Sequence, residues 1–400
     1  MFHIKSIEAQ DINQAYEFTI NLFQHHYGTE MKSYLEKDEF ERLFNIDFLK
    51  GLLLMYTPKN NNNNHNNYKN TNEGIKDKKT TTSRPIGCMI YFIDISPLHG
   101  GYGIMLDQFF IISEFRRQGL GHMMMNRLCK EVIAINGSYI KLSYQEGNGL
   151  EKFYTDLGFI NHSHGQYGLH IFELYGKSQV IDFLHNYESE LQGQHEQEQK
   201  MSIITFPCHN NQSSSSSQLS TFLPSWCDTS TEVNDLRFPK AQIVTVLSYT
   251  KTNNCYELNN TIDSSLQFSG VKCAQDQLHN YKGMCIYVEQ CYVCCWLGPM
   301  LNFTDFVGDL SILSKRYIWS RVKLWSQLVP ELCGFVWEVP CGDVYDIDSL
   351  DMDCLKGISL AKQLIQLNIT DDTIQEGWNI NYLDRKNIEI LSGKLSKDFM

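Results

Sequence analysis

One stretch limits the possible folds more than any other. The apolar run GIMLDQFFII, residues 103–112, leads through SEFRRQGL into GHMMMNRLCKEV, residues 121–132. The first run has the length and residue types of a strand, and the second has the spacing of an amphipathic helix. Glycine in the first turn of a helix is unfavourable by about 0.8–1 kcal/mol relative to alanine. It is used where a backbone must come close to something. A strand, a glycine turn and a helix together aim several main-chain N–H groups at one spot. The helix N-terminus adds partial positive charge there. Such a turn suits phosphate.

Three phosphate-binding patterns compete. A P-loop ends in Gly-Lys-Ser/Thr, whereas His122 follows Gly121. A dinucleotide fold needs a third glycine near position 124, which is methionine, and an acid about 20 residues on, where YIKLS stands. The pattern R/Q-x-x-G-x-G/A fits with Arg116, Gly119 and Gly121.

The surrounding segments read in order. FHIKSI is a strand. DINQAYEFTINLFQH places Ile12, Ala15, Phe18, Leu22 and Phe23 on one helical face, with Asp11 as its N-cap. EKDEFERLF is a second helix. LLLMYT, IGCMIYFIDI, SYIKLSY and LHIFEL are further strands, and NGLEKFYTDLGF is a short helix ending at Gly158. The implied class is α/β, a mixed sheet flanked by helices, over residues 1–185. The polar stretch 59–85, rich in Asn, reads as a disordered insertion, and 190–235 as a flexible linker.

Residues 236–400 repeat parts of the first segment. LLMYTPKN at 53 matches VLSYTKTN at 246, and IGCMIYF at 86 matches KGMCIYV at 282. LEKFYTDLGFI at 150 resembles LDMDCLKGISL at 350, and GLHIFEL at 168 matches GWNINYL at 377. Their shared order implies two tandem copies of one fold.

A formal charge of −12 disfavours a nucleic-acid binder, which needs a basic face. No run reaches the 18 apolar residues of a membrane-spanning helix, and MFHIKSIEAQDINQAY carries charges where a signal peptide needs an apolar stretch. The expectation is a protein of the cytosol or nucleus. Cys291, Cys294 and Cys295 lack a second ligand pair, so they read as thiols of a strand, with no metal site.

MLDQFFIISEFRRQGLGHMMMNRL followed by EGNGLEKFYTDLGFI resembles the acetyl-CoA-binding core of the GNAT superfamily of N-acetyltransferases. Within it the resemblance is to the diamine (spermidine/spermine) and thialysine enzymes. It implies acetyl-CoA as co-substrate. Phe109, Phe110 and Ile111 would pair with the pantetheine arm, and the helix near Asn148 would face the cofactor. Arg116, Arg117, Gln118, Gly119, Leu120, Gly121 and His122 would wrap the pyrophosphate. Tyr154 matches the tyrosine that protonates the leaving thiolate; as a residue on its own it also reads as a tyrosine packed on the sheet.

Removal of the amine proton has three candidates, Asp107, Glu30 and Glu146, acting directly or through water. Gln108 replaces an acid of the diamine enzymes, and His25-His26-Tyr27 replaces a tyrosine–acid–tyrosine segment. Both changes remove negative charge from the amine pocket that the resemblance places at His26, Tyr27, Glu30 and Gln108. The resemblance implies a small primary amine or amino acid as acceptor, with a protein N-terminus or lysine as the alternative. A non-catalytic acyl-CoA-binding protein is the reading from another class. In the second copy no glycine stands between Gly308 and Gly334, so the turn cannot form. The counterpart of Tyr154 is Asp353 or Cys354 by alignment. The implied arrangement is a monomer in which a degenerate second copy docks like a partner subunit, where Asp305 could restore negative charge.

Overall fold

The computed structural model describes residues 1–27, 35–58, 82–164, 168–175, 177–193, 200–208, 241–249, 281–294, 298–308, 310–329, 332–341 and 352–393. The first half contains β1 (Phe2–Ser6), α1 (Ile12–Tyr27), α2 (Lys37–Asn45), β2 (Lys50–Tyr56), β3 (Arg84–Ser96) and β4 (Gly101–Ile111). Then come α3 (Leu120–Ala134), β5 (Tyr139–Gln145), α4 (Glu151–Asp156), β6 (Ile160–Asn161), β7 (Leu169–Tyr175) and α5 (Lys177–Gly193). The second half contains β8 (Lys200–Cys208), β9 (Ala241–Tyr249), β10 (Tyr281–Cys294), β11 (Gly298–Gly308), α6 (Lys315–Leu328) and β12 (Gly334–Pro340). It ends with α7 (Met352–Gln366), β13 (Thr370–Asp371), α8 (Asp372–Gln375), β14 (Trp378–Asp384) and α9 (Arg385–Leu391).

The α1 stripe behaves as its spacing requires: Ile12, Ala15, Phe18, Leu22 and Phe23 are all buried. Asp11 closes a short 3-10 turn, where its carboxylate accepts from Lys5 Nζ at 2.7 Å and from the Glu8 N–H at 3.1 Å. On the other face of the sheet, α3 buries Leu120, Met124, Met125, Leu128 and Val132. Mixed sheets with helices on both sides account for both cores.

The described residues form two seven-stranded sheets. Their strand orders are β1-β2-β3-β4-β5-β14-β6 and β8-β9-β10-β11-β12-β7-β13. Strand for strand these are the same topology, so the chain is two tandem copies of one fold. Each copy, however, lends a strand to the other. β14 lies antiparallel to β5 with Trp378 opposite Gln145 and Asp384 opposite Tyr139. β7 lies antiparallel to β12 with Leu169 opposite Pro340 and Tyr175 opposite Gly334. The exchanged strands contain the matching segments GLHIFEL and GWNINYL, so their similarity is what lets each fill the other's place.

Two departures from the sequence expectation stand out. Lys200–Cys208 lies inside the stretch 190–235 read as linker, yet it forms β8 against β9. Its apolar core MSIITF is short and was masked by polar neighbours on both sides. Helix α5 carries the first half's described chain on to Gly193. Most of the Asn-rich insertion, 59–81, lies outside the described residues, and Arg84 and Pro85 already belong to β3.

The halves are joined by more than the exchanged strands. Lys141 of β5 forms a buried ion pair with Glu338 of β12, whose carboxylate also accepts from Asn302 Nδ2 at 2.8 Å and Thr304 Oγ1 at 2.9 Å. Gln290 of β10 bridges the β3 main chain, accepting from the Ile95 N–H and donating to the Ile93 carbonyl, each at 3.2 Å. Asp305 accepts from Ser96 Oγ at 2.6 Å and the Leu98 N–H at 3.3 Å.

Candidate active site

β4 and β5 run parallel and pair only from Gly103 opposite Tyr139 to Leu106 opposite Leu142. Beyond Leu106, β4 keeps its partner β3 but has none on the β5 side among the described residues. The β3–β4 register passes from Ile90 opposite Gln108 to Tyr91 opposite Leu106. Asp107 is thus the extra residue of a bulge, a device that re-aims a side chain and bends its strand. The result is a V between two central strands, with Asp107 at its apex and Phe109, Phe110 and Ile111 along one arm. The free edge of that arm can receive an extended chain bearing amide groups.

The glycine turn closes the open end of the V. Arg117 and Gly119 adopt left-handed backbone, φ 60° and 77°. The first helical bond of α3 runs from the Met123 N–H to the Gly119 carbonyl at 3.1 Å. The N–H groups of Leu120, Gly121 and His122 are left without a helical acceptor. Gly119 is the N-cap residue and offers no side chain to satisfy them. The two glycines serve different ends. A Cβ on Gly119 would meet nothing within 4 Å, whereas one on Gly121 would lie 3.0 Å from the Phe153 ring. Gly121 therefore admits Phe153 of α4 against the helix. Arg116 turns back, donating from Nε to the Ile111 carbonyl at 2.7 Å, and Gln118 Nε2 donates to the Glu114 carbonyl at 3.2 Å. Their side chains brace the turn, and its main chain faces outward. His122 packs edge-on against Phe153, and exposed Asn148 accepts the Leu150 N–H at 3.0 Å ahead of α4.

Tyr154 is buried, stacked on Tyr144 at 5.6 Å and held edge-on by Phe153 and Phe159. Burial, with Tyr144 beside it, raises its phenol above the ordinary range, so it stays protonated. Its ring packs the core, as the packing reading of this residue requires.

At the apex of the V lies a cavity of about 180 Å³ walled by both halves. Asp94, Asp107, Glu173, Glu338, Asp372 and Glu376 line it, with Lys141 as the cation among the lining residues. Phe23, Phe92, Tyr292 and Trp378 supply apolar wall. Lys141 is satisfied by Glu338, and Asp94 accepts from Tyr139 Oη at 2.9 Å. Burial outweighs other influences in raising Asp94, while for Lys141 the loss of solvation is more than offset by Glu338 and Asp94.

Of the substrate residues expected from sequence, Gln108 is not in this lining. It is buried under α1, where its Oε1 accepts from Thr19 Oγ1 at 2.7 Å. The bulge turns Asp107 to the cavity and Gln108 to the helix. Glu146 is exposed, 4.0 Å from His164 Nε2 and outside the lining. His26 and Tyr27 end α1 but their side chains lie outside the described residues, as does Glu30. Sequence reasoning missed Asp94, Glu173, Glu338, Asp372 and Glu376. Three of these come from the second half, and Glu173 reaches the cavity only because β7 crosses over.

Residues 98–172 match the model of the acetyltransferase (GNAT) domain. The match covers less than a fifth of the chain and lies within its first half. The match ends inside β7, the strand that leaves for the other sheet. No curated protein matches the chain in sequence. Among solved structures, a spermidine N-acetyltransferase from Vibrio cholerae with CoA and spermine aligns at 16% identity and TM-score 0.29, covering 41% of this chain and 83% of its own. A predicted acetyltransferase with acetyl-CoA from Clostridium acetobutylicum aligns at 15% identity and TM-score 0.28, covering 38% and 88%. A tandem GNAT protein from the clavulanic acid biosynthesis pathway aligns at 9% identity and TM-score 0.40, covering 96% and 99%.

Among the described residues of the second half, the glycine turn has no open counterpart. Ser314 caps α6, its hydroxyl accepting the Tyr317 N–H at 3.3 Å. Phe303 of β11 stacks flat on Trp337 of β12 at 5.0 Å. Beneath α6, Glu289 takes a bidentate contact from Arg321 and accepts from Trp325 Nε1 at 2.7 Å. The alignment of Tyr154 with Asp353 or Cys354 does not hold. Helix α4 ends with Gly158 at φ 90° and bonds from the Phe159 N–H to the Tyr154 carbonyl and from Gly158 to Thr155. Helix α7 ends with Asn368 at φ 57° and the same bonds, from Ile369 to Leu364 and from Asn368 to Ile365. The counterpart of Tyr154 is Leu364. The longer α7 misled a match made on its first turn.

Proposed function

We propose that the protein is an N-acetyltransferase that moves the acetyl group of acetyl-CoA to a primary amine of a small molecule. The observation that carries this reading is the acidic cavity at the apex of the split strands, beside the uncapped α3 turn. Phe109, Phe110 and Ile111 would hold the pantetheine arm, and the N–H groups of Leu120, Gly121 and His122, next to the N-cap Gly119, would hold the pyrophosphate. Charge-assisted bonds of this kind contribute about 1.5–3 kcal/mol each. Acetyl-CoA supplies the thioester. Asp107 holds the ammonium where the two strands part. The amine nitrogen, once neutral, attacks the thioester carbonyl, and Tyr154 donates its proton to the departing sulfur. A protonated primary amine has a pKa near ~10, so a cavity rich in carboxylates draws the cationic form in from solution. A cavity of this size suits a small molecule better than a protein chain, and the described residues of the second half hold no open cofactor turn. The second half serves as the wall of the first half's site.

The test is to incubate the full chain with acetyl-CoA and a panel of amines: diamines, polyamines, amino acids with basic side chains, aminoglycosides and an N-terminal peptide. Free thiol is the readout. Release dependent on a small amine supports the reading. Release only with the peptide turns it to protein N-acetylation, and tight acetyl-CoA binding without release with any amine turns it to a non-catalytic binder.

A further inference from the structure

The strand exchange places two carboxyl groups, one from each half of the chain, side by side on the cavity wall. Glu173 comes from β7, and Asp372 opens α8 directly after β13. β7 pairs with β13 through Glu173 opposite Thr370 and Phe172 opposite Asp371. The side chains of Glu173 and Asp372 are hydrogen-bonded to each other, and both line the cavity. Two carboxylates cannot share a bond without a proton between them.

A second observation is independent of these acids. Asn302 of β11 lines the same cavity and is 8% exposed. Its Nδ2 donates to Glu338, but its Oδ1 is buried with no hydrogen-bond partner among the described residues. A buried acceptor left open is unfavourable by about 1–3 kcal/mol. It calls for a donor, and the cavity is where one can arrive.

Building on the acetyl transfer argued above, we propose that Asp372, held by Glu173, takes the proton of the substrate ammonium, and that Asn302 Oδ1 accepts an N–H of the same amine. The second half would then be part of the active site. The steps balance. The ammonium N–H bond breaks and its proton passes to the Asp372 carboxylate. The nitrogen lone pair forms the C–N bond, the C–S bond breaks, and the thiolate takes the Tyr154 proton. The amide nitrogen then returns a proton to the tyrosinate.

Other groups facing Asp372 set its protonation. Glu173 and Glu376 flank it, Asp371 is the preceding residue, and Asp107, Glu338, Lys141 and Asp94 stand across the cavity. Asp371 is engaged by His170 Nδ1 at 3.0 Å. Burial raises Asp372 to about 6, against the stabilising bond from Glu173, and Glu376 and Asp371 add to the rise. Glu173 is held well above the ordinary carboxylate range, by burial first and then by Asp372. Near neutral pH the shared proton therefore sits on Glu173, and Asp372 is ionised and able to accept.

The experiment is the pH profile of kcat/KM on the full chain, with the best amine of the panel. The wild type should show an acidic limb centred near 6. Asp372→Asn should lose that limb and at least tenfold in kcat, while acetyl-CoA binding by calorimetry is unchanged. Glu173→Gln keeps a neutral donor and should keep the limb. Asn302→Leu should raise KM several-fold with the limb in place. Asp305, also pushed up to about 6 by burial, faces Ser96 outside the cavity lining, so Asp305→Asn should keep the limb. If Asp372→Asn does not fold, Asp372→Glu decides: its limb should move, and an unmoved limb overturns the proposal. A limb that persists in Asp372→Asn, or that vanishes instead in Asp107→Asn, also overturns it. No turnover with any amine overturns acetyl transfer itself and this assignment with it.

Discussion

Leu364 stands in the second half where Tyr154 stands in the first, each the carbonyl acceptor for the N–H that leads out of its helix. The two helices end alike, so the fold asks for a buried side chain there and not for a hydroxyl. Leu364 is fully buried, and Tyr154 nearly so. In the proposed function the phenol of the first half is the acid for the leaving thiolate. Tyr154→Phe should lower kcat by about a hundredfold or more, the range of general acid catalysis, with acetyl-CoA affinity and thermal unfolding little changed. Leu364→Tyr should add no second activity. Steady-state kinetics beside calorimetry separates the effects; full turnover in Tyr154→Phe removes the residue from the mechanism.

The two glycines of the turn should respond differently. Gly119 sits at φ 77° with open space around it, so any side chain there strains the backbone that aims the N–H groups. Strain of this kind is worth about 1–3 kcal/mol, so Gly119→Val should weaken acetyl-CoA binding by about tenfold or more. Gly121→Ala presses on Phe153 at 3.0 Å. It should lower stability first, and Phe153→Leu should restore part of the loss. Equal binding defects with no stability difference would contradict this division.

The strand–turn–helix unit was legible in the sequence because its signals are local: an apolar run, two glycines, a 3.6-residue stripe. The duplication was legible because matching segments kept their order. The exchange of β7 and β14 was not. A strand's pattern records which face is buried and not which neighbour it pairs with, and GLHIFEL suits either sheet. The acids of the cavity were hidden for the same reason. Glu173 and Asp372 are about 200 positions apart in the sequence, and only the crossing of β7 brings them together.

Because β14 fills the first sheet, the first half should not survive alone. Ile380, Tyr382 and Leu383 of β14 are buried, and α9 packs Ile388 into the core under α3. A fragment of residues 1–185 lacks these and leaves β5 with an open edge. It should aggregate, or pair its own β7 with a second copy. Sedimentation and circular dichroism of the fragment check this. A folded monomer with full activity would show that the exchange is dispensable. The full chain, with both gaps filled internally, is expected to sediment as a monomer.

The Lys141–Glu338 pair should be costly to break from one side. Their side chains are 3% and 7% exposed. Removing one partner of a buried ion pair destabilises by about 3–5 kcal/mol, whereas replacing both by apolar residues is often neutral. Lys141→Met should lower the urea midpoint strongly, because Glu338 keeps only Asn302 and Thr304. Lys141→Met with Glu338→Leu should recover most of it. A double variant as weak as the sum of the singles would mean the two groups do not interact.

His162 gives the join between the halves a pH dependence of known sign. It packs at 4.7 Å against Tyr382 of the exchanged strand, and burial, then Lys141, lowers its pKa from 6.5 to about 4. The unfolded chain therefore binds a proton on this residue between pH 6.5 and about 4 when the folded chain does not. Stability from the neutral ring is fully present above 6.5 and is lost as pH falls to about 4, with no further loss below. Asp305 and Asp372, raised to about 6, act in the opposite sense over part of this range, so the raw curve mixes signs. A difference measurement separates them. His162→Gln cannot take the proton, so it should lose less stability than the wild type when both are acidified from pH 6.5 to 4. Urea titrations at several pH values give the two slopes. Parallel slopes would show that His162 titrates alike in the folded and unfolded chains.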